Sequence, residues 1–145
     1  MTKQVLVLCT GNSCRSQMAE RLFSLLSKNE WIGASAGSQP AGYVHPKAIE
    51  VMKELGVDLS DGVSEHVSVY SDHMFDLVVT VCDKAAASCP SFGGKTRHLH
   101  WPFDDPADAT GTDDEILKEF RCVREQISDR IRQFLQDESS RDVSL

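Results

Sequence analysis

Gln4-Val5-Leu6-Val7-Leu8-Cys9-Thr10-Gly11-Asn12-Ser13-Cys14-Arg15-Ser16 decides the fold. Its first five residues are an apolar, partly β-branched run, the pattern of a strand buried on both faces of a parallel sheet. From Gln17 to Lys28 the apolar residues Met18, Leu22, Phe23 and Leu26 recur at helical spacing. A Cys therefore ends a strand, a tight loop follows, an Arg closes the loop, and a helix begins. Successive N–H groups in such a loop, Thr10 to Ser16, form an anion-binding nest, and the helix N-terminus adds unpaired donors. Arg15 supplies a planar fork that matches two oxygens of a tetrahedral oxyanion. Cys9 at the edge of that nest is the expected nucleophile, with a thiol pKa expected to be depressed by the donors that hold the anion. The competing reading is a buried Cys9 and a structural Arg15 ion pair.

The remaining chain repeats the strand–helix alternation. Trp31 to Ser38 reads as a second strand that runs into a Gly-rich turn. Pro46 suits the first turn of a helix with the stripe Ile49, Met52 and Leu55, and Gly56 is its stop. Residues 57–72 are ambiguous, with Val63, Val67 and Tyr70 suiting a short helix. Asp76 to Val81 is a third strand that delivers Cys82; Ala85 to Ala87 favour a helical turn before Cys89 and Pro90. Thr96 to Trp101 is the last strand. Thr112 and Glu115 form a capping box for a long helix with the stripe Ile116, Phe120, Val123, Ile127, Ile131 and Phe134. The polar tail from Glu138 is expected to fray. The pattern predicts one α/β domain over 1–145: a four-stranded parallel sheet with helices on both faces.

With 41% hydrophobic and 26% charged residues the composition is that of a soluble globular protein. A formal charge of −7 argues against nucleic acid and anionic membrane as partners. No leader peptide and no membrane-spanning run are read in the sequence, so a reducing cytoplasm is the expected compartment. Five cysteines there, at 9, 14, 82, 89 and 122, without a Cys-x2-Cys pair, favour nucleophilic or redox chemistry over a disulfide framework or a metal site.

Ligands of open α/β sheets bind beyond the carboxyl ends of the strands, where Cys9–Arg15, Cys82–Cys89 and Asp104-Asp105 all emerge. Asp105, extended by the following Pro106, is the expected general acid, with Asp104 as its rival. A thiol attacking a tetrahedral oxyanion is compatible with a phosphatase, in which water resolves the intermediate. Two further thiols at the same edge permit another ending, in which Cys82 attacks Cys9 and Cys89 attacks Cys82. Seven residues of helix separate two Cα atoms by about 10.5 Å, whereas a disulfide tolerates roughly 4.4–6.8 Å. A helical 82–89 segment must therefore unwind to form the bond. One or two isolated turns are marginal in water, so the segment reads as a redox switch. A third reading is a non-catalytic redox sensor or oxyanion-binding regulator that uses the same thiols. Cys14 is read as a packing residue or a protective partner of Cys9, Cys122 has no assigned role, and His98 and His100 share one strand face.

Three motifs carry a family resemblance: Cys9-Thr-Gly-Asn-Ser-Cys-Arg-Ser-Gln-Met-Ala-Glu20, Val78-Val-Thr-Val-Cys82 with Cys89-Pro90, and His100-Trp-Pro-Phe-Asp-Asp-Pro-Ala107. They resemble the thioredoxin-coupled arsenate reductases, which share the fold of low-molecular-weight protein tyrosine phosphatases. The resemblance implies a Cys9–arsenic adduct, release of arsenite by Cys82, and a Cys82–Cys89 disulfide passed to thioredoxin or a related reductant. Phosphate and sulfate would compete with arsenate. Asp105 matches the family's acid, and Ala107 stands where the phosphatases commonly carry an aromatic. No tightly bound cofactor is implied. Some members hold a potassium ion through residues matching Asn12, Glu20 and Ser35; at two further ligand positions, a Thr and an Asp, this chain has Val63 and Glu65.

Overall fold

The computed structural model describes residues 2–90, 92 and 95–143, apart from the side chains of Ser88 and of 141–143. Four parallel strands, β1 (Lys3–Cys9), β2 (Trp31–Gly37), β3 (Leu77–Thr80) and β4 (Arg97–His100), form one sheet in the order β2-β1-β3-β4. Cys9 lies opposite Gly37, Leu8 opposite Thr80, and Thr80 opposite His100, so all four strands end along one edge. Val5 to Cys9 are all buried, as the apolar run requires. Their side chains alternate: Val5, Val7 and Cys9 join a large core, Leu6 and Leu8 a smaller one on the opposite face.

The helices are α1 (Arg15–Leu26), α2 (Pro46–Lys53), α3 (Asp83–Ser88) and α4 (Asp113–Val143), with single 3₁₀ turns at Val67–Tyr70 and Pro106–Asp108. The chain leaves β1 toward β2 but leaves β3 toward β4, in opposite directions across the sheet. Right-handed crossovers then place α1 and α3 on opposite faces, and the loops after β1 and β3 diverge from adjacent strands. That switch point sets the Cys9 loop beside Cys82.

On the large-core face, the α4 residues Phe120, Ile127 and Ile131 are fully buried against Met18, Leu22 and Phe23 of α1. Phe23 stacks on Trp101 at a centroid distance of 5.9 Å, and Phe134 meets both Phe23 and Trp31 edge-on. The capping box forms: Glu115 N donates to Thr112 Oγ1 at 3.2 Å and Thr112 N to Glu115 Oε1 at 3.3 Å. Helix α4 continues past Glu138, whose Oε1 accepts from Arg97 Nη1 at 2.7 Å, as far as Val143. In 57–72 only Val67–Tyr70 is helical; Val63 is exposed, while Leu59 is fully buried in the large core and Val67 and Tyr70 pack against the small one. Helix α1 begins two residues before the apolar periodicity indicates, at Arg15, without a side-chain cap. A cation in the first turn opposes the helix dipole, a local cost that marks the loop as functional.

Candidate active site

The Cys9–Ser16 loop closes on its own thiol. Asn12 N donates to Cys9 Sγ at 3.1 Å, and Ser16 Oγ lies 2.9 Å from the same sulfur. Asn12 is fully buried at a φ of 49°, a left-handed conformation that Asn tolerates better than most residues. Its side chain is held on both sides: Nδ2 donates to Ser16 Oγ at 2.7 Å, and Oδ1 accepts from Glu65 N at 2.9 Å. Gln17 Nε2 braces the loop through the carbonyls of Asn12 and Val63. Gly37, at the end of β2, is the neighbour against which the loop folds: a Cβ there would collide with the Thr10 carbonyl.

Arg15 is buried. Its Nη1 donates to the Phe103 carbonyl at 3.0 Å, and its Nη2 pairs with Asp105 Oδ2 at 3.3 Å. Its Nε–H is buried without an acceptor among the described residues. A buried charged donor left unpaired is costly, and an oxyanion in the loop is the group that would satisfy it. Asp105, not Asp104, is the partner of Arg15; its Oδ1 accepts from Ala107 N at 3.0 Å and from the Cys14 thiol at 3.4 Å. Asp104 is exposed.

One expectation is corrected. Burial pushes the Cys9 thiol above its ordinary value, and the opposing pull of Ser16, the Asn12 N–H and Arg15 does not overcome it. The nest stabilises a thiolate, but the closed loop shields the sulfur from water, and desolvation is the larger effect. Cys14 is also buried; desolvation first and then the Asp105 charge push its thiol up to about 12, which suits a donor and not a nucleophile.

Cys82 is the N-cap of α3: its Sγ accepts from Ala85 N at 3.4 Å and lies 3.2 Å from Thr10 Oγ1. Cys89 is the C-cap residue, so the segment between the two thiols is helical in this reduced state, as expected. Cys89 and Cys9 line the same small cavity with Leu8, Ser38, Val67, Ala85 and Pro90. Burial raises the Cys89 thiol. Cys122 is exposed on α4, away from the loop.

The oxygens carried over for potassium stand beneath the loop, already engaged. Ser35 Oγ donates to Glu20 Oε1 at 2.7 Å, Asn12 Oδ1 holds Glu65 N, and Tyr70 Oη donates to Glu65 Oε1 at 2.7 Å. Burial raises the Glu20 carboxyl above its ordinary range. Each of these side chains is thus held by a hydrogen bond within the chain.

Sequence reasoning missed two histidines. His45 caps α2, its Nδ1 accepting from Lys47 N at 3.1 Å, a role usually given to Ser, Thr, Asp or Asn. His100 lies between Thr80 and Asp83. Only the shared strand face of the two histidines was visible in the sequence.

A profile of the low molecular weight phosphotyrosine protein phosphatases matches residues 4–144. An arsenate reductase of Halalkalibacterium halodurans is 46% identical over 135 residues, 92% of this chain and 96% of that protein. Among solved structures, an arsenate reductase in the phosphate-binding state superposes with a TM-score of 0.73 at 28% identity, covering 94% of this chain and 98% of its own. A thioredoxin-dependent arsenate reductase of Corynebacterium glutamicum gives 0.72 at 29% identity, covering 94% of this chain and 61% of its own. The chain belongs to the low molecular weight phosphotyrosine protein phosphatase family and groups within that fold with the arsenate reductases.

Proposed function

We propose that this protein reduces arsenate to arsenite with its own thiols and returns to the dithiol state at the expense of thioredoxin or a related dithiol donor. The observation that carries this reading is the 3.2 Å contact between Thr10 Oγ1 and Cys82 Sγ, which sets a second thiol against the loop that holds the first. A phosphatase has no use for it.

Arsenate enters the loop, its oxygens taking the backbone N–H groups and the unpaired Arg15 Nε–H. Cys9 passes its proton to an arsenate oxygen, the resulting thiolate attacks arsenic, and an oxygen leaves with a proton from Asp105, giving a Cys9–S–As(V) adduct. Cys82 then attacks Cys9 Sγ. The S–As bond breaks with its electron pair going to arsenic, which leaves as As(III) arsenite, and a Cys9–Cys82 disulfide remains. Cys89 displaces Cys9 from that disulfide, and a dithiol donor reduces Cys82–Cys89. The relatives named arsenate reductase, one of them thioredoxin-dependent, support the substrate and the donor class.

The test is arsenate-dependent oxidation of NADPH through thioredoxin reductase and thioredoxin, run on wild type and Cys89→Ser beside hydrolysis of an aryl phosphate. Turnover by wild type, a stall after one equivalent in Cys89→Ser, and weak ester hydrolysis are expected. Equal ester hydrolysis by both proteins, with no response to arsenate, would make this a phosphatase.

A further inference from the structure

Helix α3 is held unequally at its two ends. At the Cys82 end, Cys82 Sγ contacts Thr10 Oγ1 at 3.2 Å and accepts from Ala85 N. A second tie runs to the sheet: His100 Nε2 lies 2.8 Å from Asp83 Oδ1, and His100 Nδ1 lies 2.8 Å from the buried Thr80 Oγ1. Thr80 ends β3 and His100 ends β4, opposite one another, so the imidazole stands on two adjacent strands. At the other end the ties are longer: the Cys89 N–H reaches Ala86 O at 3.5 Å, and Cys89 Sγ donates to the carbonyl of its neighbour Pro90 at 3.4 Å and lies 4.0 Å from His98 Nδ1.

The structure assigns His100 as a positioning residue for the thiol relay: through Asp83 it pins the first turn of α3 to the sheet, so that the helix opens from its Cys89 end while Cys82 stays beside the loop. The inference rests on the proposed relay, because only a chain that must join Cys82 to Cys89 needs one fixed end and one free end. Without the pin, the strain of closing the disulfide falls on Cys82 as readily as on Cys89, and a displaced Cys82 no longer meets Cys9. Asp83, in the first turn of α3, also suits the helix dipole; His100 holds that carboxylate over the strand ends.

The test has two arms, run on His100→Ala, His100→Gln, Asp83→Ala and the double variant His100→Ala/Asp83→Ala. In single turnover with arsenate, His100→Ala should slow formation of the Cys82–Cys89 disulfide about three- to tenfold, the loss expected for one partly exposed hydrogen bond to a carboxylate. Protection of Cys9 from iodoacetamide by phosphate should stay as in wild type. The double variant should be no slower than Asp83→Ala alone, since both substitutions remove one tie. His100→Gln, whose amide can donate toward Asp83, should recover part of the rate. In the second arm, hydrogen exchange of the Ala85 and Ala86 amides, which bond Cys82, should rise in His100→Ala with little change across α1 and α4. This arm needs no arsenate, so it decides the pinning even if the reductase reading fails its own assay. Unchanged exchange at Ala85 and Ala86, or additive effects in the double variant, would overturn the assignment.

Discussion

Arg15 Nη2 and Asp105 Oδ2 stand 3.3 Å apart, and this pair joins the loop after β1 to the loop after β4. The guanidinium also holds the Phe103 carbonyl, so one planar group fixes the acid's loop and leaves its Nε–H for substrate. Lysine keeps the charge but presents no fork. Arg15→Lys should therefore lower kcat/KM for arsenate by about 10²- to 10³-fold, as loss of a preorganised oxyanion donor does. Steady-state kinetics would check it, with circular dichroism to show that the fold persists.

The upward shift of Cys9 makes its reactivity a function of pH with a definite sign. At neutral pH the thiol is mostly protonated in the closed loop. Its rate of alkylation by iodoacetamide should therefore climb about tenfold per pH unit, and keep climbing beyond about 8.5, the ordinary thiol value. A rate that levels off below pH 7 would show that the nest overcomes burial. The assay suits the Cys14→Ser/Cys122→Ser background, with mass spectrometry to locate the label.

Stability should respond to the same groups. Cys9, Cys14 and Cys89 all have thiols raised by burial, Cys14 to about 12. Above the unfolded thiol pKa of about 8.5, the unfolded chain loses protons that the folded chain keeps. Unfolding then releases protons and becomes easier as pH rises. The contribution of these thiols is whole below that pH and declines above it, toward the folded values. Urea midpoints measured from pH 7 to pH 10 should fall, and substituting Cys14 by Ala should flatten the fall.

Gly37 ends β2 against the Thr10 carbonyl, where backbone leaves no room for a methyl group. Gly37→Ala should push the loop off its seat, lose phosphate binding by calorimetry, and cost about 1–3 kcal/mol in stability, as overpacking commonly does. A control at Gly42, which has open space around its Cβ position but a φ of 89°, should lose stability without losing phosphate.

If the hydrogen bonds from Ser35, Tyr70 and the Glu65 N–H already fix the oxygens beneath the loop, potassium adds no stability. Thermal midpoints in potassium chloride and sodium chloride at equal ionic strength should then coincide. A rise specific to potassium would show that Glu20 and Glu65 open to receive it.

The fold was legible because β1 and β3 are short apolar runs that each deliver a cysteine, and because Thr112 and Glu115 announce the long helix whose stripe, Phe120 to Phe134, does face the core. The loop was legible from residue types at fixed spacing. The direction of the Cys9 shift was not, since it depends on how completely the closed loop excludes water, and no spacing records that. Nor was His100: its partners Thr80 and Asp83 lie on other elements, and only strand register brings them together. His45 was missed because imidazole caps are uncommon, and residues 57–72 were ambiguous because Val57 and Leu59 pack on one core while Val67 and Tyr70 pack on the other, so no single periodicity runs through them.

The two faces of the sheet hold very different amounts of structure. One carries α1, α2 and α4 with nearly all the large buried side chains; the other carries α3 over a small cluster of Leu6, Leu8, Ala36, Phe75, Val78, Ala85 and Phe92. The sheet works as a bulkhead. Melting of α3 on the light side would leave the heavy side folded, because the two share strands but few side chains. If the relay runs as proposed, each catalytic cycle is a small unfolding reaction confined to one compartment, and mutations that stabilise the heavy side should leave its frequency untouched.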